Sequence, residues 1–152
     1  MEKPHIWVDA DSFPAAARQQ ILAEAAARNL PVTFAANRDI PFGVQNTRFS
    51  MEICGSGDSA ADEYIVSHSA AGDIVATRDI PLAKRLLDKQ VTVINDRGTQ
   101  FNTKNIAEML EQRELSMQMA ALGIRPAAMR HSYGQKELAA FSSCLRSVLP
   151  EN

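Results

Sequence analysis

Short unbroken apolar runs alternate along this chain with longer stretches whose apolar residues recur three and four apart. His5-Ile-Trp-Val-Asp9 is a brief apolar run closed by a carboxylate and predicts a first strand. Ser12 and Pro14 then open a helix through about Arg28, Ser suiting the cap and Pro the first turn. Ile21, Leu22 and Ala25 keep helical spacing within it, and Asn29-Leu-Pro31 closes it. Val32–Ala36 and Thr47–Cys54 predict the second and third strands, the latter with Phe49, Met51 and Ile53 alternating. Beyond the break at Gly55-Ser-Gly57 the spacing predicts a helix over 59–70, a strand over 73–77, a helix over 81–89 and a strand over 91–94. Thr103 reads as the cap of a helix through about Ala121, and residues 135–148 as a final amphipathic helix.

Strands alternating with helices imply right-handed βαβ units and a mainly parallel sheet covered on both faces. The expected fold is therefore α/β: a single-domain, three-layer α/β/α arrangement around five strands. A chain of 152 residues is one domain's worth, and no linker divides it. The tetrapeptides Arg38-Asp-Ile-Pro41 and Arg78-Asp-Ile-Pro81 are identical, but only the second precedes a clear helix, so they do not mark a repeat.

Composition narrows the class. A hydrophobic fraction of 45% with 22% charged residues is that of a globular protein, and no run is long and apolar enough for a membrane span. The start lacks the apolar core of a secretion signal, which gives a cytoplasmic expectation. Cys54 and Cys144 belong to no C-x-x-C pair and read as reduced, buried thiols. His5, His68 and His131 lack zinc-ligand spacing. The net charge of −2 argues against a strongly basic nucleic-acid binder, yet it is uneven. Residues 1–96 carry 9 Lys+Arg against 13 Asp+Glu, and residues 97–152 carry 7 against 5. An acidic body with a basic tail suits metal chemistry on a phosphate-bearing partner, although surface charge also varies for no functional reason.

In open parallel sheets ligands bind beyond the carboxyl ends of the strands, where strand order reverses. Asp9 and Asp11 follow the first strand, Asp79 the fourth and Asp96 the fifth, with Asp58 and Asp62 at the start of the helix after Gly57. If the first and fourth strands are neighbours, Asp9 and Asp79 meet. Two carboxylates about 5–6 Å apart at an effective dielectric of about 20 repel by roughly 3 kcal/mol. Mg²⁺ or Mn²⁺ relieves that cost, because hard cations take oxygen ligands. Such an ion also lowers the pKa of water and clamps the oxygens of an in-line phosphoryl displacement. Each acid has a plainer reading: Asp79 as a helix cap, Ser59 with Asp62 as a variant capping box, Asp58 at a positive helix end. Their joint occurrence carries the functional reading.

At V-D-A-D (8–11), G-D-S-A-A-D (57–62), G-D-I-V-A-T-R-D-I-P-L-A (72–83) and the Arg97-Gly98 step, the chain resembles the YaiI/YqxD family of uncharacterised bacterial proteins, related to the PIN-like nucleases. The likeness runs from Val8 to the last helix. It implies a PIN-like fold in which Asp9, Asp62 and Asp79 are the metal-holding catalytic acids of a Mg²⁺- or Mn²⁺-dependent nuclease, usually acting on RNA. It implies Thr77 as the hydroxyl residue before the third acid; Asp11 or Asp58 is the candidate further metal ligand that would substitute for a fourth acid. Many PIN nucleases carry a fourth acid shortly after the third; here Ile80, Pro81 and Leu82 stand there.

Thr77, Arg78 and Arg97 are the candidate substrate contacts near the active edge, and the loop from Arg125 through Arg130 and His131 to Tyr133 suits single-stranded RNA. Two rivals remain. Val8-Asp-Ala-Asp-Ser12 is similar to the D-x-D start of haloacid-dehalogenase-type phosphatases, but their chemistry needs a lysine upstream of the later acidic motif, and none occurs between Lys3 and Lys84. The other is a non-catalytic module binding RNA or protein. A homo-oligomer is compatible with the sequence but not indicated by it.

Overall fold

A computed structural model describes residues 3–55, 57, 59–124 and 132–151. Its elements are β1 (Ile6–Asp9), α1 (Ala15–Arg28), β2 (Val32–Ala36), β3 (Phe49–Ile53), α2 (Ala60–His68), β4 (Ile74–Ala76), α3 (Ile80–Leu87), β5 (Thr92–Ile94), α4 (Asn105–Ala121) and α5 (Gln135–Val148). The five strands form one wholly parallel sheet in the order β3-β2-β1-β4-β5. The chain winds outward from β1 through β2 to β3, then crosses back to β4 on the other side of β1. Order therefore reverses between β1 and β4, the geometry in which a crevice opens beyond the strand ends.

The strand sequences explain why both faces are covered. Ile6, Val8, Ile74, Ala76 and Ile94 pack on one side with α1 and α5, while Trp7, Ala35, Val75 and Val93 pack on the other with α2, α3 and α4. A strand buried on both faces has no polar face, which is why these runs are continuous rather than alternating. The edge strand β3 does alternate in burial: Phe49 is buried, Ser50 exposed, and Ile53 at its end exposed. Phe13 and Phe141 meet edge to face at 5.6 Å and lock α5 onto the entry to α1.

Helix boundaries agree with the spacing within a residue or two, but three expected caps do not form. Pro14, not Ser12, sits at the start of α1, with no side-chain cap bond. Ser12 instead lends its carbonyl to Arg78 Nη1 at 3.2 Å. Ser59 occupies the cap position of α2 without capping it. Thr103 gives way to Asn102, whose Oδ1 accepts the Lys104 and Asn105 N–H groups, both at 2.8 Å. The close of α1 is as expected: Asn29 takes the left-handed conformation, φ 56°, and its N–H returns to the last turn. Among the described residues no helix is long and apolar enough to cross a membrane.

Candidate functional site

Parallel register decides which acids meet. Val8 of β1 lies beside Ala76 of β4, so the next residues, Asp9 and Thr77, emerge side by side at the carboxyl edge. Thr77 Oγ1 donates to Asp9 Oδ2 at 2.8 Å and accepts the Asp79 N–H at 3.0 Å. Thr77, expected among the substrate contacts, is fully buried, and its hydroxyl is spent on orienting these two acids. Asp79 caps α3, its Oδ1 accepting the Leu82 N–H at 2.9 Å, with Pro81 in the first turn. The plain reading of Asp79 as a cap is therefore correct, and it does not remove the residue from the cluster. The first turn of α2 delivers Asp62, close enough to Asp79 and Asp9 for both charges to act on its carboxyl.

The electrostatics follow from this placement. Burial pushes the Asp9 carboxyl above its usual range, as do the charges of Asp79 and Asp11, and the Thr77 hydrogen bond opposes them. Asp62 is pushed up to about 7, first by burial, then by the Asp79 and Asp9 charges and by the bond to Asp79, with Arg85 pulling the other way. Gathered carboxylates repel, and protonation of Asp62 relieves that repulsion. A divalent cation offers the same relief. The donor set fits Mg²⁺ or Mn²⁺ in chemistry, being carboxylate oxygen throughout, and in sign of charge. As the side chains stand, no group of three or more His, Cys, Asp or Glu among the described residues is placed to hold a metal ion. The arrangement is a set of neighbouring acids, not a finished cage.

The remaining candidates divide. Asp11 turns toward the β2 exit, accepting the Asn37 N–H at 3.0 Å and facing Arg38 Nε at 3.7 Å, so it braces two loops while still adding charge near Asp9. Arg78 spans the edge from the Ser12 carbonyl to Asp96 Oδ2, 3.6 Å from its Nε. Arg97 is exposed and lines a cavity of about 340 Å³ with Lys136, Glu137 and Ala140. Asp58, Arg125 and Arg130 lie outside the described residues. Asp96 is buried beside Arg78, while Asp73 sits at the opposite end of the sheet. There Asp73 accepts from Trp7 Nε1 at 3.0 Å and from the His5 and Ala70 N–H groups at 3.1 and 3.0 Å, a structural role.

The family model described as "Uncharacterized BCR, YaiI/YqxD family" matches residues 7–151. The chain belongs to the YaiI/YqxD family. Among its relatives, a UPF0178 protein of Treponema denticola is 48% identical over 145 residues, covering 95% of this chain and 90% of that protein. One from Treponema pallidum is 39% identical over 140 residues, covering 92% and 78%. A third, from Pseudomonas putida, is 33% identical over 147 residues, covering 95% of each. No solved structure matches the chain.

Two features of this YaiI/YqxD member escaped the sequence. Arg85 forks onto Glu63 with bonds of 2.7 and 3.2 Å and so brings a guanidinium near Asp62. Glu63 lies one residue after Asp62, and the pairing of α2 with α3 that joins it to Arg85 has no local signature. Lys136 and Glu137 of α5 reach the β5 exit only because Gly98 admits the helix. A Cβ on Gly98 would meet the Ala140 carbonyl oxygen at 2.6 Å, and its φ of +87° is itself a glycine conformation.

Proposed function

We propose that this protein is a phosphodiesterase of the nuclease type, using Asp9, Asp62 and Asp79 with Mg²⁺ or Mn²⁺ to hydrolyse single-stranded RNA in the cytoplasm. One observation carries the reading: carboxyls from three separate elements gather at the carboxyl edge of the sheet, Thr77 tying Asp9 to Asp79 while both of their charges act on Asp62. Folding gains nothing from bringing like charges together, and such clusters gather where chemistry needs them. When bound, the cation supplies charge neutralisation and a water of lowered pKa. Asp9 and Asp62 are its first candidate holders, Asp79 offering the oxygen that its cap bond leaves over. Thr77 fixes the carboxylate of Asp9 and the backbone of Asp79. Arg78, Arg85 and Arg97 supply positive charge along the same edge for phosphate oxygens.

A second reading, a module that binds RNA without cutting it, is favoured by the apolar residues after Asp79 and by the absence of a ready three-donor group among the described residues. Labelled single-stranded RNA and DNA, incubated with Mn²⁺, Mg²⁺ or chelator, separate the two. Metal-dependent cleavage of RNA that Asp9→Asn abolishes is the expected result. Retained binding with no cleavage under any metal would replace the first reading with the second.

A further inference from the structure

The tetrapeptides Arg38-Asp-Ile-Pro41 and Arg78-Asp-Ile-Pro81 follow β2 and β4, the strands that lie on either side of β1. Each arginine stands two residues beyond its strand, and both turn to the residues that leave β1. Arg38 Nε faces Asp11 Oδ1 at 3.7 Å from the β2 side, and Arg78 Nη1 donates to the Ser12 carbonyl at 3.2 Å from the β4 side. Arg18, in the first turn of α1, joins them by donating from Nη1 to the Phe13 carbonyl. Guanidiniums from three elements thus surround residues 11–13, just beyond Asp9.

Like charges gathered on one loop repel: after burial, the Arg38 charge holds the Arg18 guanidinium below its usual pKa range. The acids that face Arg38 and Arg78 offset this only weakly. Asp11 and Asp96 stand 3.7 and 3.6 Å away, with the two arginine side chains 65% and 50% exposed, and exposed pairs of that length hold little. Each planar fork carries five N–H groups, and among the described residues only one or two of them are engaged. The rest are open to an anion at the rim of the acid cluster. Phe13, the ring in this loop, is buried and offers no face to a base, so the chemistry on offer is that of a phosphate.

We propose that Arg18 and Arg38 together take one backbone phosphate of single-stranded RNA on the β2 side of Asp9 and Arg78 takes another on the β4 side, so that the strand crosses the exit of β1. The proposal rests on the nuclease reading and adds the path of its substrate. Phosphates on either side of the acids are held by arginine forks, which match their oxygens with two donors at once, while the acids and their cation face the phosphate between them.

Anisotropy of a fluorescently labelled single-stranded oligoribonucleotide, measured in chelator across a salt series, reads the path apart from cleavage. Each phosphate neutralised contributes about 0.7 to the slope of log affinity against log salt. Arg18→Gln with Arg38→Gln is expected to lower the slope by about that amount, and Arg78→Gln by a similar amount again. Arg38→Lys, in an otherwise wild-type chain, keeps the charge and is expected to keep the slope while weakening binding. Arg48→Gln, which removes an exposed charge ahead of β3 at the opposite edge, is expected to leave the slope unchanged, and far-UV circular dichroism to be unaltered in every variant. A wild type that does not bind RNA, a slope unmoved by the Arg18 and Arg38 pair, or an equal fall with Arg48→Gln would overturn the inference. The two readings fail separately. Binding that depends on these arginines without metal-dependent cleavage removes the nuclease and keeps the path; cleavage with a slope indifferent to them removes the path and keeps the nuclease.

Discussion

Replacing Asp62 by asparagine removes one charge from the acid cluster while keeping a side chain able to bond Asp79, and the structure fixes both sign and size of the effect. The Asp62 carboxyl sits at about 7 against an ordinary value of 3.8, with burial and then the Asp79 and Asp9 charges responsible. A folded-state pKa raised above the unfolded one means that the unfolded chain gives up its proton first as pH rises from 4. Stability therefore falls through the window from about 4 to 7 and levels off above it. Taken at face value the shift is worth about 4 kcal/mol, but Asp62 is only partly buried and solvent screening reduces this to about 1–2 kcal/mol. The charge also lies in the first turn of α2, where it gains about 0.3–1 kcal/mol that asparagine forgoes. Repulsion wins. At pH 8 with chelator, Asp62→Asn is expected to be more stable by about 1 kcal/mol, a rise of about 2–4 °C in Tm for a domain of this size. At pH 5, where the folded protein already holds the proton, the gain shrinks to a few tenths of a kcal/mol. His5 biases the wild type the other way, since its burial lowers its pKa and costs stability on acidification, but it is common to both proteins and cancels in the difference. Thermal unfolding by circular dichroism at the two pH values reads the result. A variant destabilised at pH 8, or an equal effect at both, would refute the claim that Asp62 carries an unfavourable charge.

Metal reverses the order: millimolar Mn²⁺ at pH 8 is expected to raise the wild-type Tm by linkage and leave Asp62→Asn nearly unmoved, read in the same scans. Thr77→Val keeps the shape but strands Asp9 Oδ2 and the Asp79 N–H, at about 1–3 kcal/mol for each group left unsatisfied, so urea unfolding should rank it well below Thr77→Ser. Gly98→Ala combines positive φ with a 2.6 Å clash against backbone and should cost about 2–4 kcal/mol, whereas Gly72→Ala, at φ +90° in open space, should cost about 1. Asp73→Ala leaves the Trp7 indole N–H and two backbone N–H groups without their acceptor and is expected to lower stability by about 3 kcal/mol without altering any metal-dependent shift.

Much of the site is legible along the chain because each acid ends a recognisable segment. Asp9 closes an apolar run, Asp79 precedes an Ile-Pro helix start, and Asp62 opens the helix after a Gly-Ser-Gly break. The caps were less legible. Ser12, Ser59 and Thr103 are good cap residues by type, yet none caps, because loop positions are set by what the next element must reach. In the variant capping box expected of Ser59 and Asp62, the second residue is drawn to Asp79 instead. Asp73 and Asp79 are both aspartates flanking β4, one before the strand and one after it. Direction along a parallel strand separates them: one lies at the amino edge beside Trp7, the other at the carboxyl edge beside Asp9.

The sequence by itself determined the alternation of strand and helix, the two-sided burial of the strands and the family, since all three rest on residue order and local periodicity. Tertiary structure decided the adjacency of β1 and β4, the meeting of Asp62 with Asp79, and the approach of Arg85 and Lys136. Each of these depends on which element packs beside which. That is a competition among whole surfaces, and no segment carries its outcome alone.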